Sequence, residues 1–317
     1  MAVNSKVIKR RIKSVSSTKK ITKAMEMVAA SKMRRAVDTA LRTRTYAKLA
    51  WDILVDLSKT AEVKIPLLEI RPVKNVLVIL ITSNRGLCGS FNSNIIKKTS
   101  LTLKNPDNLG VQDIEGKILK TEKVNIDVVG IGRKGAEFAK RNGYNLTASF
   151  TTFSDTPSLN DILPISQMVI EQYAKKQYDK VVVAYTDFKS AISQMAKLKQ
   201  VLPISKIDLE NMLAELGEQD LQKEKPIVAE KISDYLFEPN QQQVLETVLP
   251  RLVETQLLQA ALESSASEHS ARMMAMRNAS DAAVDMIAEL NLNFNKARQA
   301  AITQEIAEIA GGAAALE

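Results

Sequence analysis

Glycine and proline are absent from both ends of this chain, and their distribution restricts its possible folds more than any other feature. No glycine or proline precedes Pro66, and none lies between Pro250 and Gly311, whereas eight of the eleven glycines lie between Gly86 and Gly143. Because these two residues interrupt regular structure most strongly, we predict long helices over 3–58 and 250–310 around a turn-rich middle. At about 1.5 Å per residue, each helix would be roughly 85–90 Å long.

Helices of this length need an equally long packing partner, and the simplest partner for each is the other. Apolar residues recur at helical spacing in both segments, without a strict heptad repeat. They are Ile12, Val15, Ile21, Met25, Val28, Met33, Val37 and Leu41 in the first, and Leu245, Leu249, Leu252, Met273, Met276, Ala279, Ala283, Met286, Leu290, Phe294, Ala297 and Ala301 in the last. We predict an antiparallel coiled coil, a rod with the middle of the chain at one end.

The middle of the chain predicts an α/β domain. The runs 75–83, 124–132 and 180–188 are nearly continuously apolar, as in strands that are buried on both faces. Helix-like stretches lie between them, so we expect a mostly parallel, Rossmann-like sheet. The more alternating runs 192–204 and 226–238 predict antiparallel edge strands, and the polar segment 207–225 predicts a peripheral helix or loop.

The predicted organisation therefore has three parts. Residues 1–73 carry the N-terminal helix of the coiled coil, residues 74–240 the central α/β domain, and residues 241–317 the C-terminal helix. The fold class is α/β plus a long antiparallel coiled coil.

The positive charge is concentrated at the N-terminal end. The formal net charge is +8, but residues 1–50 hold fourteen Lys and Arg against two acids, so the other 267 residues sum to −4. A basic end of this kind predicts an acidic partner, which can be nucleic acid, anionic lipid or an acidic protein surface. With one cysteine and one histidine, a disulfide framework and most metal sites are excluded. The lack of a long apolar run or signal sequence predicts a soluble intracellular protein.

One motif matches the dinucleotide-binding fingerprint GxGxxG. It runs from Gly130 to Gly135 after a predicted strand, and Asp155 lies 20 residues further on, near the place of a ribose-binding acid. Because no catalytic set accompanies it, a tight turn that needs glycine is the favoured interpretation. Cys88, with Arg85 nearby, permits a reactive thiolate, but a small residue in a tight turn is the favoured interpretation. We interpret His269 as a solvated or packed side chain.

The basic N-terminal helix also permits a second interpretation, that of a coiled-coil nucleic-acid-binding protein. In that case its Lys and Arg side chains would contact phosphates and base edges. These charges alternate with apolar residues at helical spacing, so one face of the helix is already committed to packing. A nicotinamide enzyme and a free-standing structural rod are further alternatives.

Five motifs resemble those of the gamma subunit of F-type ATP synthases, in matching order and spacing over nearly the whole chain. They are KKITKAMEMVAASKMRRA (19–36), SNRGLCGSFN (83–92), GRKG (132–135), SEHSARMMAMRNASDAA (267–283) and LNFNKARQAAITQEIAEIAGGAAAL (292–316). The resemblance implies a bacterial-type rotary central stalk that couples ion flow through the membrane ring to conformational change in the beta subunits. It also implies no active site, cofactor or metal of its own.

The resemblance further implies partners and contact residues. The partners are the alpha and beta subunits, the epsilon subunit and the ring of c subunits, at the cytoplasmic face of the bacterial plasma membrane. Met25, Arg34, Arg35 and Arg272 would face acidic loops of beta. Contacts with a second loop of beta and alpha would involve Arg298, Gln299, Thr303 and Glu308.

This sequence departs from the family's usual pattern in two places. Asn84 and Ser90 stand where the family usually has Asp and a small residue. The stretch 101–122 is longer and more polar than usual.

Overall fold

In the computed structural model the described residues are 5–60, 65–105, 109–114, 117–120, 124–204 and 240–314. For residues 44–60, 112–120, 241 and 313–314 only the backbone is described. The helices are α1 (Ser5–Thr60), α2 (Phe91–Lys104), α3 (Arg133–Arg141), α4 (Leu159–Ala174) and α5 (Gln241–Ala314), and Pro66–Leu68 form a 3-10 turn. The strands are β1 (Asn75–Ile81), β2 (Val111–Ile114), β3 (Lys117–Lys120), β4 (Asn125–Ile131), β5 (Asn145–Phe150), β6 (Lys180–Phe188) and β7 (Gln194–Leu202).

Contacts along the chain define two compact units. One unit, which we call the helix pair, comprises Met1–Ser31 and Arg272–Glu317; the other, the sheet unit, comprises Lys32–Ala271. The long terminal helices α1 and α5 each contribute residues to both units. None of the helices in the described part of the chain is long and apolar enough to cross a membrane.

The sheet unit is built on a five-stranded sheet in the order β5-β4-β1-β6-β7. The first four strands are parallel and β7 runs antiparallel to β6, as predicted for an edge strand in 192–204. The predicted strands 75–83, 124–132 and 180–188 are confirmed as β1, β4 and β6. The segments predicted at 207–225 and 226–238 lie outside the described residues.

Two apolar layers cover the faces of this sheet. Val76 and Val78 pack with residues of α2 and α3, whereas Leu77 and Ile79 pack with residues of α4 and α5. All four side chains are fully buried. A strand covered on both faces has no solvent side, which explains why β1 is continuously apolar instead of alternating.

The C-terminal helix includes a proline near its start. The lack of glycine and proline predicted helix over 250–310, whereas α5 begins at Gln241, at the start of the range 241–317 assigned to this helix, and continues through Pro250. Leu245 and Leu249, which precede Pro250, are 2% and 1% exposed and belong to the sheet core. Packing of these leucines stabilises the turns whose backbone hydrogen bonding the proline weakens.

The helix pair is antiparallel, and its seam follows alternating steps of four and three. On α1 the buried or half-buried positions are Ile8, Ile12, Val15, Lys19, Thr22, Glu26 and Ala29, and on α5 they are Met276, Ser280, Ala283, Ile287, Leu290, Phe294 and Ala297. Thr22 Oγ1 and Ser280 Oγ share a hydrogen bond of 2.8 Å between the helices. This spacing is a heptad repeat.

The prediction of an apolar seam without strict heptads was therefore wrong in detail. Ile21, Val28 and Met286 are 60%, 55% and 51% exposed, and Leu41 and Ala301 are also exposed. Polar Thr22 and Ser280 and small Ala occupy seam positions instead. A search for large apolar residues therefore finds part of the seam, such as Ile12 and Phe294, together with exposed neighbours of it.

Candidate functional site

The GxGxxG turn packs against the end of β1, and its hydrogen-bonding groups are occupied there. The first three backbone N–H groups of α3 donate to Asn84 Oδ1 (3.0 Å), the Ser83 carbonyl (3.3 Å) and Thr82 Oγ1 (2.7 Å). A bound pyrophosphate would need such N–H groups at the helix N-terminus. Asn84, the departure from the family's Asp, therefore caps α3 here through its amide oxygen.

Steric contacts explain the glycines of this motif. Gly132 has φ +88°, and a Cβ atom there would lie 2.1 Å from the Thr82 carbonyl oxygen. A Cβ on Gly130 would lie 3.1 Å from the backbone N of Ala136. Gly132 therefore requires glycine, whereas a side chain at Gly130 would require Ala136 to shift slightly. The motif is a tight strand-to-helix turn, and the nicotinamide alternative has no geometric support.

Cys88 fills the turn between β1 and α2. It is 3% exposed, and Leu87 and Gly89 on either side have φ values of +62° and +54°. Asn92 donates a hydrogen bond of 3.2 Å to its Sγ. These contacts confirm a small side chain in a tight turn. Ser90, the second departure, precedes α2 and accepts the Asn94 backbone N–H through its carbonyl.

Asp155 lies in the loop between β5 and α4, where it is bound from two helices. Its carboxylate pairs with Lys32 Nζ on α1 at 2.5 Å, and its carbonyl lies 3.2 Å from His269 Nε2 on α5. The hydrogen bond from Lys32 lowers the pKa of Asp155. His269 is 2% exposed and is thus a packed side chain. In the described ranges, no group of three or more His, Cys, Asp or Glu could hold a metal ion.

The exposed surface of α1 is strongly basic. Its exposed cations up to residue 43 are Lys6, Lys9, Arg10, Arg11, Lys13, Lys20, Lys23, Arg34, Arg35 and Arg42. The same range contains two acids, and one of them, Glu26, pairs with Lys23 at 2.9 Å. A surface with this excess of cations favours an acidic partner.

The contact residues expected near the middle of the helices fall into two places. Met25 and Arg272 are half-buried members of the helix pair, while Arg34 and Arg35 are exposed on the part of α1 that belongs to the sheet unit. Arg34 and Arg35 are thus accessible on the surface, whereas Met25 and Arg272 expose only part of their side chains.

The contact residues expected near the C-terminus lie on a fully exposed stretch of α5. Every side chain from Arg298 to Gly312 is exposed. Gln299 and Thr303 are about 40° apart around the helix, whereas Glu308 is about 140° from Thr303, at about 100° per residue. Gln304 donates a hydrogen bond of 2.9 Å to Glu308. These residues therefore surround the helix, and a partner that contacts all of them must enclose it.

Large apolar side chains are also exposed in unusual number on the helix pair. Ten of the sixteen that are exposed in the described residues belong to this unit, although it is much the smaller of the two. They are Val7, Ile21, Met27, Val28, Val284, Met286, Leu292, Ile302, Ile306 and Ile309. The sequence analysis placed some of them, such as Ile21 and Met286, in the seam. Only the heptad register of the seam distinguishes these exposed residues from buried ones. Concentrated apolar exposure is typical of a surface that a partner covers.

A groove between the two helices adds to this incomplete coverage. Its volume is about 750 Å³, and its lining includes Ile8 and Leu290 as well as the cations Arg11 and Lys296. A groove lined by apolar side chains and cations fits a partner surface that is apolar and acidic.

Comparison with known proteins identifies the family of this chain. A sequence profile of the ATP synthase family matches residues 4–316. The ATP synthase gamma chain of Roseiflexus castenholzii is 42% identical over 99% of this chain and 98% of its own length. The gamma chain of Dehalococcoides mccartyi is 40% identical, over 99% of both chains.

Solved structures agree with this result. A chain of the Tetrahymena thermophila mitochondrial ATP synthase central stalk and c-ring is similar, with a TM-score of 0.56 and 26% identity over 82% of this chain and 99% of its own. A chain of the Euglena gracilis mitochondrial ATP synthase shares the fold, with a TM-score of 0.63 and 20% identity over 98% of this chain and 94% of its own.

The chain belongs to the ATP synthase family. Within that family, the two relatives above match it over nearly their full length and are gamma chains, so its function is that of a gamma chain. This result supports the stalk interpretation over the nucleic-acid-binding alternative.

Proposed function

We propose that this chain is the rotating, non-catalytic central stalk of an ATP synthase. The helix pair turns inside the head of alpha and beta subunits, and the sheet unit contacts the epsilon subunit and the c ring. Ion flow through the ring thereby drives conformational change and ATP synthesis in beta. The observation that carries this proposal is the helix pair itself, an exposed surface that is both apolar and basic.

A rotating stalk acts because its surface contacts each conformation of the beta subunits differently, and the described surface suits that role. An asymmetric shaft that contacts three beta conformations differently shifts their equilibrium as it turns. Contacts of this kind must break three times per turn. Exposed charges such as Arg34 and Arg35 are worth about 0–1 kcal/mol per pair, whereas breaking a deeply buried pair costs about 3–5 kcal/mol.

The proposal assigns the remaining contact residues as follows. Met25, Arg34, Arg35 and Arg272 face acidic loops of beta. A second loop of beta and alpha surrounds Arg298, Gln299, Thr303 and Glu308, and complete exposure of that stretch supports this assignment.

The chain has three functional parts and lies at a membrane surface. Functionally the chain divides into the first helix (1–73), the α/β domain (74–240) and the last helix (241–317), and α1 and α5 lie within the outer two ranges. The complex lies at the cytoplasmic face of a bacterial plasma membrane, where this chain is peripheral. The non-catalytic role is supported by the GxGxxG turn, because the first N–H groups of α3 already donate to Thr82, Ser83 and Asn84, the residues that follow β1.

The test of the proposal is ATP hydrolysis by the alpha and beta subunits with and without this chain. We expect the chain to be required for full activity. We also expect Arg298→Ala to reduce activity more than deletion of residues 311–317, because the tail offers few directional contacts. Comparable losses for both would contradict the assigned contact, and activity independent of the chain would contradict the proposed function.

The basic surface has its own matched test. The double substitution Arg34→Ala, Arg35→Ala removes two exposed charges from α1, and Lys140→Ala, Arg141→Ala removes two exposed charges from α3. We expect only the first pair to lower the ATP-driven proton pumping of the assembled enzyme. Equal effects would show that net charge, rather than this surface, is responsible.

A further inference from the structure

The segment of α5 between Ser265 and Ser270 donates hydrogen bonds to the ends of several elements of the sheet unit. Ser265 Oγ donates to the carbonyl of Asp155 in the loop after β5 at 2.6 Å. Ser267 Oγ donates to the carbonyl of Thr186 in β6 at 3.1 Å. Ser270 Oγ donates to the carbonyl of Ala191, in the turn after β6, at 2.6 Å. All three serines are buried.

His269 contributes to the same set of contacts. Its Nε2 lies 3.2 Å from the Asp155 carbonyl, which is an acceptor only, so the ring nitrogen is the donor. The Asp155 carbonyl thus accepts two hydrogen bonds from α5, from residues one turn apart. Its carboxylate pairs with Lys32 Nζ on α1. One loop residue therefore connects both terminal helices to the sheet.

The directions of these bonds matter mechanically. At about 100° per residue, Ser265 and His269 lie on one side of α5, and Ser267 and Ser270 lie on a side about 150° away. A helix bound at fixed carbonyls on two nearly opposite sides cannot turn about its axis in either sense without breaking bonds. These directional bonds act in addition to the close apolar packing of α5 in the sheet core.

We propose that Asp155 and the residues 265–270 form a clamp that transmits torque between the sheet unit and the long helices. The inference rests on the proposed function, since only a rotating stalk has torque to transmit. The buried serine and histidine bonds fix α5. The more exposed Lys32–Asp155 pair adds a weaker attachment for α1, because its side chains are 34% and 56% exposed.

Ser264 provides a matched control for the clamp. It precedes Ser265 on the same helix and is 2% exposed, but its hydroxyl has no hydrogen-bond partner. Ser264→Ala therefore removes a buried hydroxyl without removing a clamp bond. The test variant is the triple substitution Ser265→Ala, Ser267→Ala, Ser270→Ala, which leaves side-chain volume nearly unchanged.

The experiment uses the assembled membrane enzyme, and it measures protons pumped per ATP hydrolysed together with ATP hydrolysis by the head. Each lost hydrogen bond should raise the population of the unclamped state about fivefold. We expect the triple variant to assemble and to hydrolyse ATP but to pump fewer protons per ATP. Ser264→Ala should match wild type in both measurements.

A merely structural role is excluded by a second control. Val76→Ala destabilises the buried strand β1 and changes no residue of the clamp. We expect it to lower the thermal stability of the chain and to leave the number of protons pumped per ATP hydrolysed unchanged. If the triple variant fails to assemble, Ser265→Ala is compared with Ser264→Ala in the same assay. Equal pumping ratios for the clamp and control variants would overturn the inference, whereas a wild-type chain without effect on hydrolysis would overturn the proposed function instead.

Discussion

The sheet unit and the helix pair bury their side chains in different ways. From Val76 to Leu80, each residue of β1 has a fully buried side chain. The helix pair is held along a seam that includes Ala29, Ala283 and the Thr22–Ser280 hydrogen bond, and half of its described large apolar residues are exposed. The sheet unit thus has its own core, whereas the helix pair has a narrow seam and a wide uncovered surface. The difference indicates that the helix pair needs partner subunits to cover that surface.

We expect the largest loss of stability in the sheet unit, from the substitution Gly132→Val. A side chain at φ +88° would clash with the Thr82 carbonyl, so we expect a loss of more than about 3 kcal/mol in the free energy of unfolding. Denaturant unfolding of the isolated chain checks this. Gly86→Ala is the control, because a Cβ there meets nothing within 4 Å; equal losses in both variants would contradict the steric explanation.

On the helix pair, we expect a substitution to change function rather than folding. Met25→Lys adds a charge beside the proposed contact with acidic beta loops, and a competing ion pair should lower proton pumping per ATP hydrolysed severalfold. The free energy of unfolding of the isolated chain should change by less than about 1 kcal/mol. Met27→Lys adds the same charge at a site that is 60% exposed on another side of α1, and it should be tolerated better. Unchanged pumping in the Met25 variant would refute this contact.

A smaller effect is expected from the polar pair in the seam. Thr22→Val removes the bond to Ser280, and we expect a loss of about 1 kcal/mol in stability. With Ser280→Ala, a double-mutant cycle should give a coupling energy of about 0.5–1 kcal/mol. Urea unfolding of the four proteins measures it, and additive losses would show that the hydrogen bond does not hold the register.

The smallest effect concerns the pH dependence of the Lys32–Asp155 pair in the sheet unit. The folded-state pKa of Asp155 is lowered, chiefly by the Lys32 hydrogen bond. The stabilisation is therefore complete above the unfolded-state pKa and is lost as the pH falls through the folded-state pKa. Asp155→Asn should be slightly less stable than wild type at pH 7 and equal to it in strong acid. A constant difference across that range would show that the ion pair does not contribute.

Sequence periodicity predicted the strands with continuous apolar runs and the alternating edge strand β7, but it missed β5 and the short pair β2 and β3. β1, β4 and β6 are buried on both faces and could be recognised directly. β5 (Asn145–Phe150) alternates between exposed and half-buried residues and was not predicted. The short pair β2 and β3 lies in the stretch 101–122, where the polar sequence obscured its boundaries.

The contact surface was less predictable than the fold for a physical reason. Apolar residues are expected both in the seam and on a surface that other subunits cover. In this chain the buried seam residues Thr22 and Ser280 are polar, whereas Ile21 and Met286 are apolar and exposed. A hydrophobic pattern therefore cannot separate a seam from a surface that other subunits cover. Resemblance to a family named contact residues such as Arg298, and exposure of that stretch agrees with a contact surface without identifying the partner.

The most direct measurement of the central claim is rotation of the chain during ATP hydrolysis by the assembled head. Cys88 is buried and unsuitable for a probe, whereas Ile192 is 85% exposed, so the probe is attached to an Ile192→Cys, Cys88→Ala variant. The account predicts rotation in one direction with three steps per turn. Hydrolysis by an assembled head in which the probe does not rotate would contradict it.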